Sequence, residues 1–329
     1  MRLSDFDYQL PDRLIAQYPL RERDKARLLV VKRKDNTLEH RAFFDIVDYL
    51  KPGELLLLND TQVLPARLIG RRITGGRVEA LLINRKKDLS FEAWLKPGRL
   101  KLGEEINFQG SSVKAVISAK DEITFKAKNE DAVYRLGVMP LPPYIKRPAQ
   151  DLDDVYYQTV YAKNKGAIAS PTAGLHFTDK LLKKIEAKGS HVAYITLHIS
   201  YATFKPLKAE DITQHKMGKE YFKIAAPTRA LIQEARKSKS RIIATGTTTC
   251  RALESYARGR REGYTDLFIY PGFKFRLTDC LLTNFHLPKT TLFMLVCAFA
   301  GKNLIKRAYR EAIDKHYRFY SYGDAMLII

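Results

Sequence analysis

The sequence predicts an α/β protein, and three observations indicate this class. Apolar strands alternate with amphipathic helices over most of the 329 residues, a pattern typical of a largely parallel sheet covered by helices. The hydrophobic content of 45% is enough to form a substantial core. A β-rich stretch, residues 67–130, interrupts this alternation, so we expect it to be an insertion in the α/β fold.

The α/β elements follow one another along the chain. The run GELLLLND at 53–60 predicts a buried strand, and GAIAS at 166–170 predicts a second one. The segment 178–189 predicts a helix with Thr178 as its N-cap and Gly189 as its stop. Further strands are predicted at 191–199, 241–246, 266–272 and 280–285, and further helices at 228–240, 247–259, 290–301 and 303–317.

The β-rich stretch consists of short alternating segments that are separated by turn signals such as TGG and KDE. Five or six such strands in about 70 residues fit either a small barrel or a sandwich. The segments are GRVEALLI, SFEAWLK, EINFQ, VKAVISA and EITFKAK.

Charge is the strongest compositional signal. Lysine and arginine total 57 against 36 acidic residues, a formal net charge of +21. Such a surplus raises the local concentration of polyanions such as RNA. A generally basic proteome, or solvated faces on surface helices, would give the same count, and the basic residues are spread along the chain rather than gathered in one tract.

The composition also bears on cellular location. No apolar run reaches the ~18–20 residues that span a bilayer, and the N-terminus lacks the apolar segment of a signal peptide. The three cysteines show neither a disulfide pattern nor metal-ligand spacing. We therefore expect a cytoplasmic protein without a membrane partner.

Polar side chains follow the predicted strands at the point where each strand ends. Ligands of open α/β sheets bind beyond the carboxyl ends of the strands, so these side chains are candidates for one pocket. Three of them are histidines, the side chain best suited to proton transfer at neutral pH. The candidates are Asn59, Asp60, Thr61, Thr172, Gly174, His176, His198, Gly246, Thr247, Thr248, Asn284, His286 and Lys289.

Each candidate also has a purely structural interpretation. Asp60 or Thr61 can cap a turn, and each histidine can be a hydrogen-bonded core residue. The run 246–249 can be a helix N-cap, although its backbone N–H groups can equally hold a carboxylate.

Several widespread catalytic motifs are missing from the sequence. It contains no phosphate-binding loop, no dinucleotide-binding glycine fingerprint and no nucleophile elbow, and no cluster of side chains has metal-ligand spacing. From the residues alone, the prediction is an α/β enzyme with an inserted β domain that acts on a polyanion.

Eight segments in collinear order, together with the N-terminal stretch 6–30, closely resemble one family over almost the whole chain. It is the S-adenosylmethionine:tRNA ribosyltransferase-isomerase (QueA) family of queuosine biosynthesis. The segments are LLLLNDTQVLPARL, MPLPPYI, YQTVYA, GAIASPTAGLHFT, GTTTCRALES, YTDLFIYPGFKF, LLTNFHLPKTTLFMLVCAFAG and YRFYSYGDAML.

The resemblance implies a Rossmann-like layered α/β domain with an inserted small antiparallel β-barrel. With the segmentation above, we expect a discontinuous catalytic domain at 1–68 and 140–329 and a barrel at 69–139. The implied reaction moves the ribosyl part of S-adenosylmethionine onto 7-aminomethyl-7-deazaguanine at the wobble position of tRNA. It gives epoxyqueuosine and releases adenine and methionine. S-adenosylmethionine is a co-substrate, so no cofactor and no metal are expected, and we expect a monomer.

This chemistry needs a base for the 5′ proton of the ribose and groups that hold the purine, the ribose and the methionine carboxylate. As a hypothesis, His176 or His286 is the base, and Asp60 with Asn59 orients ribose hydroxyls or the incoming amine. Thr247 and Thr248 would hold the methionine carboxylate. Further substrate-binding candidates are Thr61, Thr172, Gly174, His198, Gly246 and Asn284, and candidates for phosphates or substrate anions are Arg23, Lys25, Arg27, Arg67 and Lys289.

Three positions depart from the family pattern. Ser200 and Ala202 stand where glycines are usual, and Gly218 stands where histidine is common. These departures leave an alternative open, namely a tRNA-binding paralogue that has lost catalysis or uses another substrate.

Overall fold

A mixed sheet of nine strands organises the part of the chain that the computed structural model describes, residues 1–200, 207 and 209–329. The strand order is β16-β14-β13-β3-β15-β17-β18-β1-β2. The strands are β1 (Arg27–Lys32), β2 (Thr37–Ala42), β3 (Leu55–Asn59), β13 (His191–Leu197), β14 (Glu220–Lys223), β15 (Ile242–Thr245), β16 (Glu262–Thr265), β17 (Cys280–Asn284) and β18 (Ala325–Ile328).

The four central strands of this sheet are parallel. β3 pairs with β13 on one side and with β15 on the other, and β15 pairs with β17, all in parallel register. Antiparallel pairs flank them, β13 with β14 on one side and β17 with β18 on the other. The carboxyl ends of the four parallel strands therefore lie at one edge of the sheet, which we call the carboxyl edge.

Helices cover both faces of the sheet, because successive residues of a strand point to opposite faces. Leu56, Leu58 and Val30 pack with α3 (Asp179–Ala187) on one face. On the other face, Leu55 and Leu57 pack with α4 (Ala226–Lys237) and α5 (Gly246–Tyr256). The remaining helices are α1 (Glu130–Tyr134), α2 (Asp151–Tyr156), α6 (Thr291–Ala300) and α7 (Lys302–Asp314).

A second sheet closes into a six-stranded antiparallel barrel. The strand at residues 67–72 pairs with the strand at 77–85 and also with the strand at 105–107, which closes the ring. Its interior is a separate apolar core that includes Phe91, Ile106 and Phe125. The strands are β5 (Arg67–Arg72), β6 (Arg77–Arg85), β7 (Ser90–Lys96), β8 (Glu105–Asn107), β9 (Lys114–Ala119) and β10 (Glu122–Lys126), and β11 (Gly137–Val138) adds to β5.

The predicted fold class, layered α/β with a small antiparallel barrel, is confirmed. The choice between barrel and sandwich is decided by the pairing of β5 with β8. The domain boundaries at residues 68/69 and 139/140 stay a prediction.

Two predicted strands were placed wrongly. The strand predicted at 166–170 is β12 (Asn164–Ala167), which lies outside the main sheet and pairs only with β4 (Thr61–Val63). The segment 266–272 forms no strand, because the chain leaves β16 after Thr265 and packs Ile269 into the core beneath α6. Five strands of the main sheet were not predicted, namely β1, β2, β14, β16 and β18, and β18 lies between β17 and β1.

A fully buried carboxylate fixes the approach to β17. Glu254, in α5, accepts hydrogen bonds from the backbone N–H groups of Arg276, Leu277 and Thr278 at 3.0 to 3.2 Å and from the Thr278 hydroxyl at 3.0 Å. Arg258 lies 3.0 Å from the same carboxylate and balances its charge. This cluster sets where β17 begins, and hence where its carboxyl end lies.

We expect Glu254→Ala to lower the free energy of unfolding by about 3–5 kcal/mol, because the variant leaves the partly buried Arg258 and the buried N–H and hydroxyl of Thr278 unpaired. Urea denaturation followed by circular dichroism measures this. Glu234→Ala, on the exposed face of α4, is the matched control and should stay within about 0.5 kcal/mol of the parent. Equal stability of the two variants would contradict the structural role of Glu254.

Candidate functional site

A cavity of about 360 Å³ opens at the carboxyl edge of the sheet, above the ends of β15 and β17. We call it the first cavity. The segments 169–173 and 283–290 form two of its walls, and Tyr144 and Tyr320 contribute to a third. The predicted site residues that line it are Thr172, Gly246, Thr247, Thr248, Asn284, His286 and Lys289.

The turn from β15 into α5 brings a helix N-terminus to this cavity. Gly246 has φ +87°, a conformation that side chains rarely adopt, so the sharp turn requires a glycine. The N-cap residue Thr245 offers no side-chain hydrogen bond to the helix. The first backbone N–H groups of a helix have no acceptor within it, so the turn at Thr247 and Thr248 presents donors and the positive end of the helix dipole.

Asn284 connects the first cavity to a histidine that lies behind it. Its side-chain nitrogen donates to the carbonyl of Tyr320 at 2.8 Å, so its oxygen is the acceptor that faces His176 Nε2 at 3.1 Å. His176 therefore donates this hydrogen bond. Its ring packs 4.8 Å from that of Phe43 and lines a separate small pocket of about 20 Å³ rather than the first cavity.

His286 lines the first cavity directly. Its Nε2 lies 2.8 Å from the Thr283 hydroxyl. Its backbone N–H donates to the Tyr309 hydroxyl at 2.9 Å, and its carbonyl accepts from the Tyr8 hydroxyl. These bonds hold the residue in place from both sides.

Burial keeps both histidines neutral. It lowers the pKa of His176 to about 4, an effect that the hydrogen bond to Asn284 opposes only partly. It lowers the pKa of His286 to about 3. At neutral pH each imidazole therefore has one nitrogen that can accept a proton.

One wall of the first cavity is aromatic and strained. The rings of Tyr144 and Tyr320 lie 4.6 Å apart, and Tyr320 has φ +70°. Lys289, also on the wall, has φ +57°. Non-glycine residues at positive φ cost energy and are concentrated at functional sites. The buried hydroxyls of Ser170 and Tyr320 have no hydrogen-bond partner among the described residues, so both can bind a ligand.

Asn59 holds the carboxyl edge together. Its side-chain oxygen accepts from the N–H groups of Thr61 at 3.2 Å and Leu197 at 3.0 Å. Its side-chain nitrogen donates to the Leu197 carbonyl at 3.0 Å and lies 3.3 Å from the Thr248 hydroxyl. Asn59 thus joins β3, β13 and α5, but it does not line the first cavity.

Asp60 and His198 lie in a second cavity of about 450 Å³, above β3 and β13. Asp60 accepts from the Thr196 hydroxyl at 2.7 Å and from the Asn164 amide at 2.9 Å. His198 Nδ1 lies 2.8 Å from the hydroxyl of Thr61, and burial lowers the pKa of the imidazole. Predicted site residues therefore line two separate cavities and do not share one pocket.

The remaining predicted residues lie outside both cavities. The side chain of Arg67 binds Glu79 and the Leu141 carbonyl, and Arg23 donates to the carbonyls of Val155 and Gln158. Arg27 lies 3.7 Å from the Tyr317 ring centre, and Lys25 forms an exposed ion pair with Glu22. A Cβ at Gly174 would approach the Tyr161 hydroxyl to 2.1 Å, so packing against this tyrosine requires the glycine.

Of the three departures from the family pattern, Ser200 and Gly218 lie among the described residues. Ser200 donates its N–H to Glu220 at 3.0 Å, and it is not one of the non-glycine residues that adopt positive φ in the described part of the chain. Its backbone therefore does not demand a glycine. Ala202 lies outside the described residues, and nothing in the structure explains Gly218.

Sequence reasoning missed the aromatic wall and Ser170. Tyr144 and Tyr320 lie in the segments MPLPPYI and YRFYSYGDAML, which are far apart in the chain. The second segment is rich in tyrosine, and this composition fits core packing as well as the stacking of a base. Ser170 lies in the predicted strand 166–170, where a small buried residue carries no functional signal.

Comparison with known proteins gives consistent matches over the full length. A family model described as "Queuosine biosynthesis protein" matches residues 3–328. Proteins named S-adenosylmethionine:tRNA ribosyltransferase-isomerase from Sulfurihydrogenibium sp. and Aquifex aeolicus are 50% and 47% identical, each over 100% of both chains. A crystal structure of S-adenosylmethionine tRNA ribosyltransferase from Thermotoga maritima is 37% identical with a TM-score of 0.58, over 99% of this chain and 100% of that one.

The described residues hold neither a helix that could cross a membrane nor a cluster that could bind a metal ion. None of their helices has the length and apolar character required to cross a membrane. Histidine, cysteine and carboxylate side chains within residues 1–200, 207 and 209–329 form no group of three that could hold a metal ion.

We expect Asn59→Ala to lower the free energy of unfolding by about 3 kcal/mol, because it leaves the buried N–H and carbonyl of Leu197 unpaired at once. Thermal and urea unfolding measure the loss. Asn303→Ala, at an exposed position of α7, removes the same amide without buried partners and is the control. A loss no larger than that of the control would show that the carboxyl edge does not depend on Asn59.

The neutral histidines also predict acid sensitivity. Both pKa values are lowered from 6.5 in the folded state, so the unfolded chain binds more protons below pH 6.5. The free energy of unfolding should therefore fall as the pH drops from 6.5 to 4, by up to about 1.4 kcal/mol per pH unit for each histidine. Urea denaturation across this range checks the slope.

His176→Gln and His286→Gln should each make this pH dependence less steep, whatever their effect on stability at neutral pH. His316→Gln, at an exposed position, is the control for removal of a histidine. An unchanged slope in both buried variants would mean that these two imidazoles do not cause the acid sensitivity.

Proposed function

Since the chain belongs to the queuosine biosynthesis protein family, we propose that it transfers and isomerises the ribosyl moiety of S-adenosylmethionine onto tRNA. The acceptor is 7-aminomethyl-7-deazaguanine at the wobble position, and the products are epoxyqueuosine-tRNA, adenine and methionine. The observation that carries the proposal is the first cavity. Segments that resemble the family line it, and the neutral side chain of His286 and the N-terminus of α5 both face it. The reaction needs no cofactor or metal ion besides the co-substrate, and the enzyme acts as a cytoplasmic monomer.

The first cavity suits the co-substrate in size and chemistry. Its volume of about 360 Å³ lies within the ~300–1,000 Å³ range of small-molecule sites. The N-terminus of α5, at Thr247 and Thr248, binds the methionine carboxylate. The wall of Tyr144 and Tyr320 contacts the adenine, and the unpaired Ser170 hydroxyl binds the ribose.

His286 is the base in this proposal. The sulfonium next to the ribose 5′ carbon acidifies the proton that must be removed, and His286 is the histidine that lines the first cavity. Burial lowers its pKa to about 3, so the ring is unprotonated in the neutral range, and this pKa must rise when the substrates bind for the ring to take a proton efficiently. The Thr283 hydroxyl, 2.8 Å from Nε2, orients the ring, and in the tautomer in which Nε2–H donates to this hydroxyl, Nδ1 is the nitrogen that takes the proton.

His176 has a positioning role. Its Nε2–H holds the Asn284 oxygen, while the Asn284 nitrogen is held by the Tyr320 carbonyl. This fixes both the amide and the aromatic wall. Substrates that fill this cavity displace water from the sulfonium and from the intermediate that follows deprotonation.

The experiment is a turnover assay with purified protein, S-adenosylmethionine and tRNA bearing 7-aminomethyl-7-deazaguanine. Nuclease digestion and mass spectrometry identify the nucleosides, and chromatography follows adenine release. We expect epoxyqueuosine only when both substrates are present. Bound tRNA without any product, in an assay where a relative from the family is active, would contradict the proposal and favour the non-catalytic or substrate-altered paralogue.

Histidine variants assign the base. His286→Gln should lower kcat by about 10²-fold or more with its fold intact, because the proton acceptor is lost. His176→Gln should lose less, since glutamine can still donate to Asn284. His316→Gln is the exposed control. A folded His286→Gln variant with near-normal turnover, or a larger loss in His176→Gln, would transfer the role of base away from His286.

A further inference from the structure

The second cavity adjoins the first but is separate from it. The two lie over neighbouring strands of the carboxyl edge, and Asn59, 3.3 Å from Thr248 of the first cavity, precedes Asp60 of the second. β12 runs beside the second cavity and leads directly into Ala169 and Ser170 of the first. A ligand in the second cavity is therefore a close neighbour of one in the first.

Three lysines surround the second cavity. Lys163 forms no ion pair with the described residues. Lys165 lies 3.3 Å from Asp131, and Lys223 lies 3.3 Å from Glu262, in pairs whose side chains are about half exposed or more. Exposed ion pairs of this kind contribute little to stability, so these lysines can exchange their carboxylates for a phosphate. A polyanion passing over the cavity meets three cations.

Aromatic rings provide the apolar part of the cavity. Tyr194 is 36% exposed and has one side packed at 5.5 Å from Tyr161. Tyr221 stacks on His198 with an interplanar angle of 18°. Tyrosine faces next to lysines are the combination with which proteins bind single-stranded nucleotides, the base on the ring and the phosphate on the cation.

Asp60 adds a polar acceptor to the cavity. Its two oxygens already accept from Thr196 and Asn164, which fixes the carboxylate without a cation. A fixed carboxylate accepts from a ribose hydroxyl or from a base N–H, and it repels a phosphate. The phosphate therefore belongs beside the lysines and the nucleoside beside Asp60 and Tyr194.

We propose that the second cavity binds a tRNA nucleotide adjacent to the one that reacts in the first cavity, with its base on Tyr194 and its phosphate on Lys163 and Lys223. This inference rests on the proposed function, because that function supplies the RNA. It goes further by naming the surface and the residues that the flanking nucleotide contacts.

The test is fluorescence anisotropy with a labelled anticodon stem–loop RNA across a series of salt concentrations. The double variant Lys163→Ala/Lys223→Ala should weaken binding by about tenfold or more and reduce the salt slope by about 1–2. Lys237→Ala/Lys239→Ala, at the opposite edge of the sheet, is the charge-matched control. Equal effects of the two double variants, or no change in slope, would overturn the proposal.

The stacking contact has its own control. Tyr194→Ala should weaken RNA binding by roughly 5- to 100-fold, whereas Tyr194→Phe keeps the ring and should bind like the parent. Calorimetric titration with S-adenosylmethionine alone should give the same affinity for all these variants. Weakened RNA binding by Tyr194→Phe equal to that of Tyr194→Ala would exclude stacking.

A last comparison separates RNA from a free nucleotide. Unlabelled stem–loop RNA should displace the labelled RNA, and millimolar guanosine monophosphate should not; displacement by the monophosphate at RNA-like concentrations would overturn the assignment to RNA. Anisotropy measures RNA binding without turnover. Failure of this inference can therefore be distinguished from failure of the proposed function. Lysine-dependent RNA binding without product leaves this inference standing, and product formation with unaltered binding by the variants refutes it.

Discussion

The side chain of Asn59 is the interaction on which the functional edge of this protein depends. β3 ends there, but the amide continues the pairing to Leu197 with one accepted and one donated hydrogen bond. It also binds the N–H of Thr61 and approaches Thr248 at the start of α5. One buried side chain therefore holds β3, β13 and α5 in register and fixes the two cavities relative to each other.

Two sets of buried polar groups differ in how fully their hydrogen bonds are satisfied. Glu254 in the core is saturated, because three backbone N–H groups, the Thr278 hydroxyl and an arginine surround it. In the cavity, the hydroxyls of Ser170 and Tyr320 have no partner among the described residues, and Tyr320 adopts a positive φ. An unpaired buried hydroxyl is costly, and a ligand in the first cavity can supply the missing partner to both.

The sequence by itself determined the layered α/β class, the family, the four central strands and the longer helices. Strand β3 and helix α3 follow from local signals, an apolar run in one case and a Thr178 cap with a Gly189 stop in the other. The site residues at strand ends were also found this way, because the carboxyl edge of a parallel sheet is a general binding place. Where periodicity was short or mixed, as at 166–170 and 266–272, prediction failed, since tertiary packing overrides weak local preference there.

Only the tertiary structure decided which candidates share a cavity. His176, His198 and His286 are equivalent in sequence terms, yet one lies behind Asn284, one in the second cavity and one in the first. Their neutrality depends on burial, which the sequence does not show. The closure of the barrel and the meeting of Tyr144 with Tyr320 likewise depend on contacts between distant segments. Such contacts are set by how elements pack against one another, and local sequence carries no record of that arrangement.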